Sequence, residues 1–167
     1  FAGVKTVLFF APPERELLES RFRDCRAVGI AGISRSLPPD EMERELRPAF
    51  AALRDTGAPI VHYKVCSTFD SAPHVGSIGR AVDIGAELFG PQPIPLLVGA
   101  PALKRYTVFG QHFARFGDRV YRLDRHPTMF RHPVTPMDEA DLRLHLSRQT
   151  AKSIALMDLF DLEGSAG

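Results

Sequence analysis

The chain has 167 residues, long enough for one domain with a sizeable core. Hydrophobic residues make up 44% and charged residues 25%, the balance of an ordinary globular protein rather than a disordered or fibrous one. A formal net charge of +1 gives no electrostatic ground for nucleic acid or an acidic membrane as partner, and two cysteines (Cys25 and Cys66) cannot build a disulfide framework, so a reducing, cytoplasmic setting is expected.

In chain order, Phe1-Ala-Gly3 reads as the last turn of a helix with a C′ glycine. Val4–Phe10 is a near-continuous apolar run, as expected of a strand covered on both faces. Pro12-Pro13 ends it, Glu14–Phe22 is a short helix, and Arg26–Ala31 is a second strand. Gly32–Pro39 is a polar loop running into a helix, with Ser36 as the expected N-cap and Asp40 and Glu41 favouring the positive helix end. Met42, Leu46, Ala49, Phe50 and Leu53 form one apolar stripe at helical spacing, and Gly57 closes the helix. Pro59–Val65 reads as a third strand, followed by the loop Lys64–Gly79 and a helical pattern over Ile78, Val82, Gly85, Leu88 and Phe89.

Pro93–Val98 reads as a fourth strand, its prolines at the start where a missing N–H is tolerated. Gly99–Tyr106 is a third loop, Thr107–Phe116 is predicted as a helix and Val120–Asp124 as a strand. Thr135-Pro-Met-Asp138 resembles a capping box before a helix over Glu139–Gln149, and Ile154–Leu159 is strand-like. No apolar run reaches the length of a membrane span, because Pro91, Pro93, Pro95 and Pro101 interrupt the best stretch, and no signal-peptide pattern is present. The abrupt ends are those expected of a piece of a longer protein, incomplete at its front. Strands alternating with helices predict an α/β fold of three layers, a largely parallel sheet with helices on both faces.

Ligands of such folds sit beyond the carboxyl ends of the strands, which places Ser34-Arg35-Ser36, Lys64–Gly76 and Gly99–Arg105 at one edge. Arg35 beside a helix start suits a carboxylate or phosphate, although in isolation it also reads as a surface arginine next to a capping serine. Lys64 closes an apolar strand and is expected to reach a carboxylate or a ligand. Asp70 is open to three roles: general base, magnesium ligand or turn residue bonded to its own backbone. Ser67 and Thr68 can donate to substrate oxygens or cap the next helix. Gly76 and Gly79 are expected to let the backbone approach a ligand closely. Cys66 reads as a small packed thiol, and His126 and His132 lack the companions of a zinc site. Neither a Gly-x-x-x-x-Gly-Lys-[Ser/Thr] loop nor a Gly-x-Gly-x-x-Gly turn occurs.

Three motifs, Ser34-Arg-Ser-Leu-Pro38, Tyr63-Lys-Val-Cys-Ser-Thr-Phe-Asp-Ser-Ala-Pro73 and His132-Pro-Val-Thr-Pro-Met-Asp-Glu-Ala-Asp-Leu142, resemble the N-terminal domain of the four-carbon acid sugar kinases. The resemblance extends over residues 1–167 and implies a domain that binds a small sugar acid of the threonate, erythronate or 3-oxo-tetronate type. ATP and Mg2+ would be held by a C-terminal domain absent from this chain. It implies Arg35 and Lys64 on the substrate carboxylate or phosphoryl oxygens, Ser67 and Thr68 on substrate oxygens, and Asp70 nearby as a candidate base or support. Cys66 and Asp70 stand where many members carry an aspartate and an arginine, a pattern closer to the 3-oxo-tetronate branch. The acidic Asp-Asp-x-Thr-Gly motif of the family is absent from this chain. From a different class, a non-catalytic domain that senses or presents a small acid fits the same residues. A homo-oligomer is compatible with the sequence; no nucleic acid or membrane partner is expected.

Overall fold

The computed structural model describes residues 3–163; the helix end expected at Phe1–Gly3 and the tail beyond Glu163 fall largely outside them. The first apolar run forms β1 (Thr6–Phe9), α1 covers Arg15–Glu19, and β2 (Ala27–Ile30) returns parallel to β1, with Thr6 opposite Ala27 and Phe9 opposite Ile30. Phe22, beyond α1, packs edge-on against Phe9 with ring centroids 5.4 Å apart. The helix that follows, α2 (Pro39–Asp55), buries Met42, Leu46 and Phe50, the stripe read from the sequence. Its N-cap is Pro38, not Ser36: Pro38 is extended at φ −69° and ψ 160°, and Ser36 lies inside a 3-10 turn, Ser34–Ser36, with no capping bond. A proline pair presets the dihedrals of the helix entry, so no side-chain cap is needed to define it.

Helix α3 (Ile78–Phe89) is capped by Ser77, whose hydroxyl accepts the Arg80 N–H at 3.1 Å. It packs Ala81 and Ile84 against Met42, Leu46 and Phe50 of α2. Arg80 and Arg47 link the two helices through Glu43 and Glu87. The expected third and fourth strands, 59–65 and 93–98, are irregular chain without ladder partners among the described residues. β-branched composition reports a preference for extended backbone, whereas a strand also needs a paired neighbour; Ile60, 82% exposed, has none. Likewise the strand-like 154–159 stays unpaired until Leu159, where α5 (Leu159–Glu163) begins.

The expected helix over Thr107–Phe116 is instead a hairpin of β3 (Arg105–Val108) and β4 (Gln111–Phe116), extended antiparallel by β5 (Arg119–Arg122). Val108 faces Gln111 across Phe109 and Gly110, at φ 50° and 80°. Two positive φ values in a two-residue loop are the turn whose twist matches a hairpin. Gly117, at φ 56°, opens the two-residue loop between Phe116 and Arg119. Within β4 the buried residues are His112 and Ala114, a period of two that overrides helical propensity. This sheet covers a second core of Phe69, Val98, Leu123, Met137, Leu142 and Leu146, among others.

Helix α4 is shorter than expected, Leu142–Ser147, and begins at Asp141, whose carboxylate accepts the Arg143 N–H at 2.9 Å. The Thr135–Asp138 capping box does not form: Thr135 bonds His132, and Asp138 pairs with Arg148. The α/β class therefore stands, with parallel pairing carried by β1 and β2 and an antiparallel three-stranded sheet beside it among the described residues.

Candidate functional site

The 3-10 turn after β2 brings Arg35 over the loop that follows residues 59–65. Its Nη2 donates to Asp70 Oδ2 at 2.5 Å, and the Thr68 hydroxyl donates to Asp70 Oδ1 at 2.6 Å. The single Thr68 hydrogen is spent on the carboxylate, and the Cys66 thiol lies 3.1 Å from Thr68 Oγ1. The Asp70 side chain is 1% exposed and that of Arg35 62%, so the anion is buried and its partner faces water. Burial alone would raise the Asp70 carboxyl pKa, but hydrogen bonds from Thr68, Cys66 and Arg35 and the Arg35 charge outweigh it and hold it below the usual carboxylate range.

Arg35, Lys64, Cys66 and Asp70, with Ser34 beside them, line one cleft of about 1620 Å³ whose other walls are largely apolar. That volume far exceeds a four-carbon acid, and Arg15, Arg23 and Arg26 line other parts of it. Lys64 is exposed and makes no hydrogen bond or ion pair among the described residues. The premise that burial forces it onto a partner therefore does not apply. Ser67 is half-buried, and Thr68 is buried with its hydroxyl engaged by Asp70 and Cys66. The third predicted loop, 99–105, does not line the cleft: Ala100 pairs with Arg105 at the foot of β3. His126 and His132 accept hydrogen bonds from the backbone N–H groups two and three residues on. Among the described residues no group of three His, Cys, Asp or Glu is placed to hold a metal.

Residues that sequence reasoning passed over hold the loop 66–79 in place. His112 Nε2 lies 2.9 Å from the Ser67 carbonyl and its Nδ1 2.9 Å from Thr107 Oγ1. The Ser71 hydroxyl donates to the Phe69 carbonyl, so it accepts from both His145 Nε2 and Gln149 Nε2. Gln149 Oε1 accepts from Ser77 and from the Gly79 N–H. The two glycines serve these contacts rather than contacts with a ligand. A Cβ on Gly79 would meet the Gln149 backbone at 2.5 Å, and one on Gly76 (φ 57°) would meet the Arg35 carbonyl oxygen at 2.3 Å. The sequence signal for His112 was its place in the alternating pattern of 111–114; for Gln149 there was none beyond its side of a helix.

Burial holds the imidazoles of His112, His126 and His145 below the ordinary histidine pKa, with nearby arginine charge adding to it. In the unfolded chain they take up protons near pH 6.5, so just below that value the unfolded state binds more protons than the folded one. Stability from these groups is complete above about pH 6.5 and is lost as pH falls through their lower folded pKa values. The melting temperature is expected to be level from pH 8 to 7 and to decline between about 6.5 and 5, a window in which carboxylates do not yet titrate. A level profile down to pH 5 would mean that the three rings are not held neutral.

A family model described as "Sugar-binding N-terminal domain" matches residues 1–167. The chain is 57% identical over 164 residues to a protein of Paraburkholderia graminis named 3-oxo-isoapionate kinase, covering 98% of this chain and 35% of that one. It is 33% identical to a 3-oxo-tetronate kinase of Methylobacterium radiotolerans, covering 94% of this chain and 35% of the relative. The chain thus spans about a third of the length of these relatives. Among solved structures, a Haemophilus influenzae protein superposes with a TM-score of 0.77 at 28% identity, over 97% of this chain and 37% of that one. A Salmonella typhimurium LT2 protein matches with a TM-score of 0.81 at 25% identity, again over 97% and 37%. Among the described residues no helix is long and apolar enough to cross a membrane.

Proposed function

The chain belongs to the sugar-binding N-terminal domain family, and on that footing we propose that it is the substrate-binding part of an ATP-dependent kinase acting on a small sugar acid. The relatives named as 3-oxo-isoapionate and 3-oxo-tetronate kinases support a 3-oxo acid or a four-carbon acid such as threonate or erythronate as substrate. One observation carries the reading: Arg35 spends one N–H on Asp70 and remains 62% exposed, leaving donors of a fixed guanidinium fork turned to the cleft. A carboxylate matches that fork in a bidentate way, and Lys64 on the same cleft adds a second positive charge. Thr68 and Asp70 hold Arg35 in place. ATP and Mg2+ bind a separate C-terminal part of the protein, and phosphoryl transfer takes place where the two parts meet. The protein is cytoplasmic.

The test is phosphorylation of D-threonate, D-erythronate, 3-oxo-tetronate and 3-oxo-isoapionate by the full-length protein with ATP. Turnover of at least one is expected, together with acid binding and no turnover by the 167-residue chain alone. Binding without turnover by the full-length protein would favour a non-catalytic binder, and neither binding nor turnover would reject the site.

Asp70 separates two roles within this reading. A general base works best with a pKa near the working pH, whereas Asp70 is held low by its donors. Asp70→Asn is therefore expected to raise the KM for the sugar acid and to change kcat by no more than about tenfold. Loss of about 10²–10⁴-fold in kcat, with normal folding and binding, would identify Asp70 as the base instead.

A further inference from the structure

We propose that His112, from the β3–β4 hairpin, is a positioning residue for the sugar-acid site; this rests on the function proposed above. The Cys66 carbonyl accepts the Phe69 N–H at 2.9 Å, closing a β-turn whose central peptide joins Ser67 to Thr68. Rotation of that central peptide is the soft motion of a β-turn, since turn types I and II differ chiefly in which way it faces. His112 is fully buried and grips this peptide by its carbonyl at 2.9 Å.

A carbonyl only accepts, so the hydrogen is on Nε2. The neutral ring then leaves Nδ1 as acceptor, and the Thr107 hydroxyl at 2.9 Å donates to it. Thr107 lies directly opposite His112 in the β3–β4 register, so the Phe109–Gly110 turn that sets the register also builds this relay. Hydroxyl, imidazole and carbonyl form one chain of hydrogen bonds running from the hairpin to the loop, with the carbonyl as final acceptor.

The consequence falls on the next residue. In a trans peptide the N–H points opposite to the C=O, so anchoring the Ser67 carbonyl turns the Thr68 N–H away from the hairpin. No protein acceptor meets that N–H among the described residues. The Thr68 side chain holds Asp70, which holds Arg35. One imidazole therefore sets the support of the guanidinium, without itself lining the cleft. Ser67 and Thr68 do not themselves line the cleft, so His112 acts on the site through Thr68 Oγ1, Asp70 and Arg35, the last two of which do.

The experiment uses the full-length enzyme and compares His112→Gln with His112→Asn. Both amides keep a buried polar group, but only glutamine reaches as far as Nε2. The expected result is near-normal constants for His112→Gln. For His112→Asn, the kcat/KM for the sugar acid should fall about 10- to 100-fold, as misplacement of a binding group does, with the KM for ATP unchanged. Calorimetric titration with the acid should show the same split. If both variants lower the melting temperature equally and neither alters sugar-acid constants, His112 is structural only and the proposal fails alone. A wild-type enzyme that neither binds nor phosphorylates a sugar acid overturns the functional reading and this proposal with it.

Discussion

Replacing Arg35 by alanine in the full-length protein is expected to cost about 2–4 kcal/mol of transition-state binding, or roughly 30- to 900-fold in kcat/KM for the sugar acid. The same change should also weaken the fold. Asp70 is buried and its charge is balanced from outside by Arg35, so removing the guanidinium leaves an anion with only the Thr68 and Cys66 donors. About 1–3 kcal/mol of stability should be lost, less than for a fully buried pair because Arg35 itself faces water. Asp70→Asn is the milder change for stability, since it leaves an exposed cation that water can solvate and an amide oxygen for Thr68.

The double variant Arg35→Ala with Asp70→Asn separates the two effects. Stability should largely return, because no buried charge remains unpaired, whereas kcat/KM should stay low, because the substrate has lost its guanidinium. Lys64→Ala provides the control: exposed and unpaired, it should reduce kcat/KM without moving the melting temperature. If kcat/KM in the Arg35 variant equals wild type while stability falls, Arg35 serves Asp70 and not a ligand.

How far these residues were legible in the sequence depended on whether the signal was local. The β1 and β2 runs and the α2 stripe follow from apolar spacing within a few residues, and their positions agree with the structure to within one or two residues at the ends. Arg35 beside a helix start was also local, and the structure adds what it does: it meets a carboxylate thirty-five positions away. The β3–β4 hairpin was misread because Thr107–Phe116 carries Gln111, His112 and Arg115 at spacings that a helix also tolerates. Its deciding feature is backbone geometry at Phe109, where phenylalanine in place of asparagine or glycine hides the turn. Segments 59–65 and 93–98 show the opposite failure: their composition is that of strands, but pairing is a property of the neighbour and not of the segment. The clamp by His112, His145 and Gln149 was illegible for the same reason, since each bond spans forty-five residues or more.

Phe69 carries the other large expected effect. It is fully buried in the second core, yet its φ is 54°, a left-handed conformation that costs a bulky residue about 1–2 kcal/mol. The ring packs 5.9 Å from that of His145, and the Phe69 carbonyl accepts the Ser71 hydroxyl. Burying the ring offsets the backbone strain, and the strained residue sends one side chain into the core while Thr68 and Asp70 on either side of it meet each other. Phe69→Ala should therefore destabilise by about 3–5 kcal/mol, the usual cost of emptying a buried phenylalanine site. Glycine at the same position isolates the strain. In ordinary backbone, glycine is less stable than alanine by about 0.5–1 kcal/mol, through its greater freedom when unfolded. At a positive φ the order should reverse, with Phe69→Gly more stable than Phe69→Ala by about 1 kcal/mol, because glycine meets no steric penalty there. Urea unfolding of the two variants reads this difference directly. If alanine proves the more stable of the two, Phe69 is not held left-handed, and the loop takes its shape from the core contact alone.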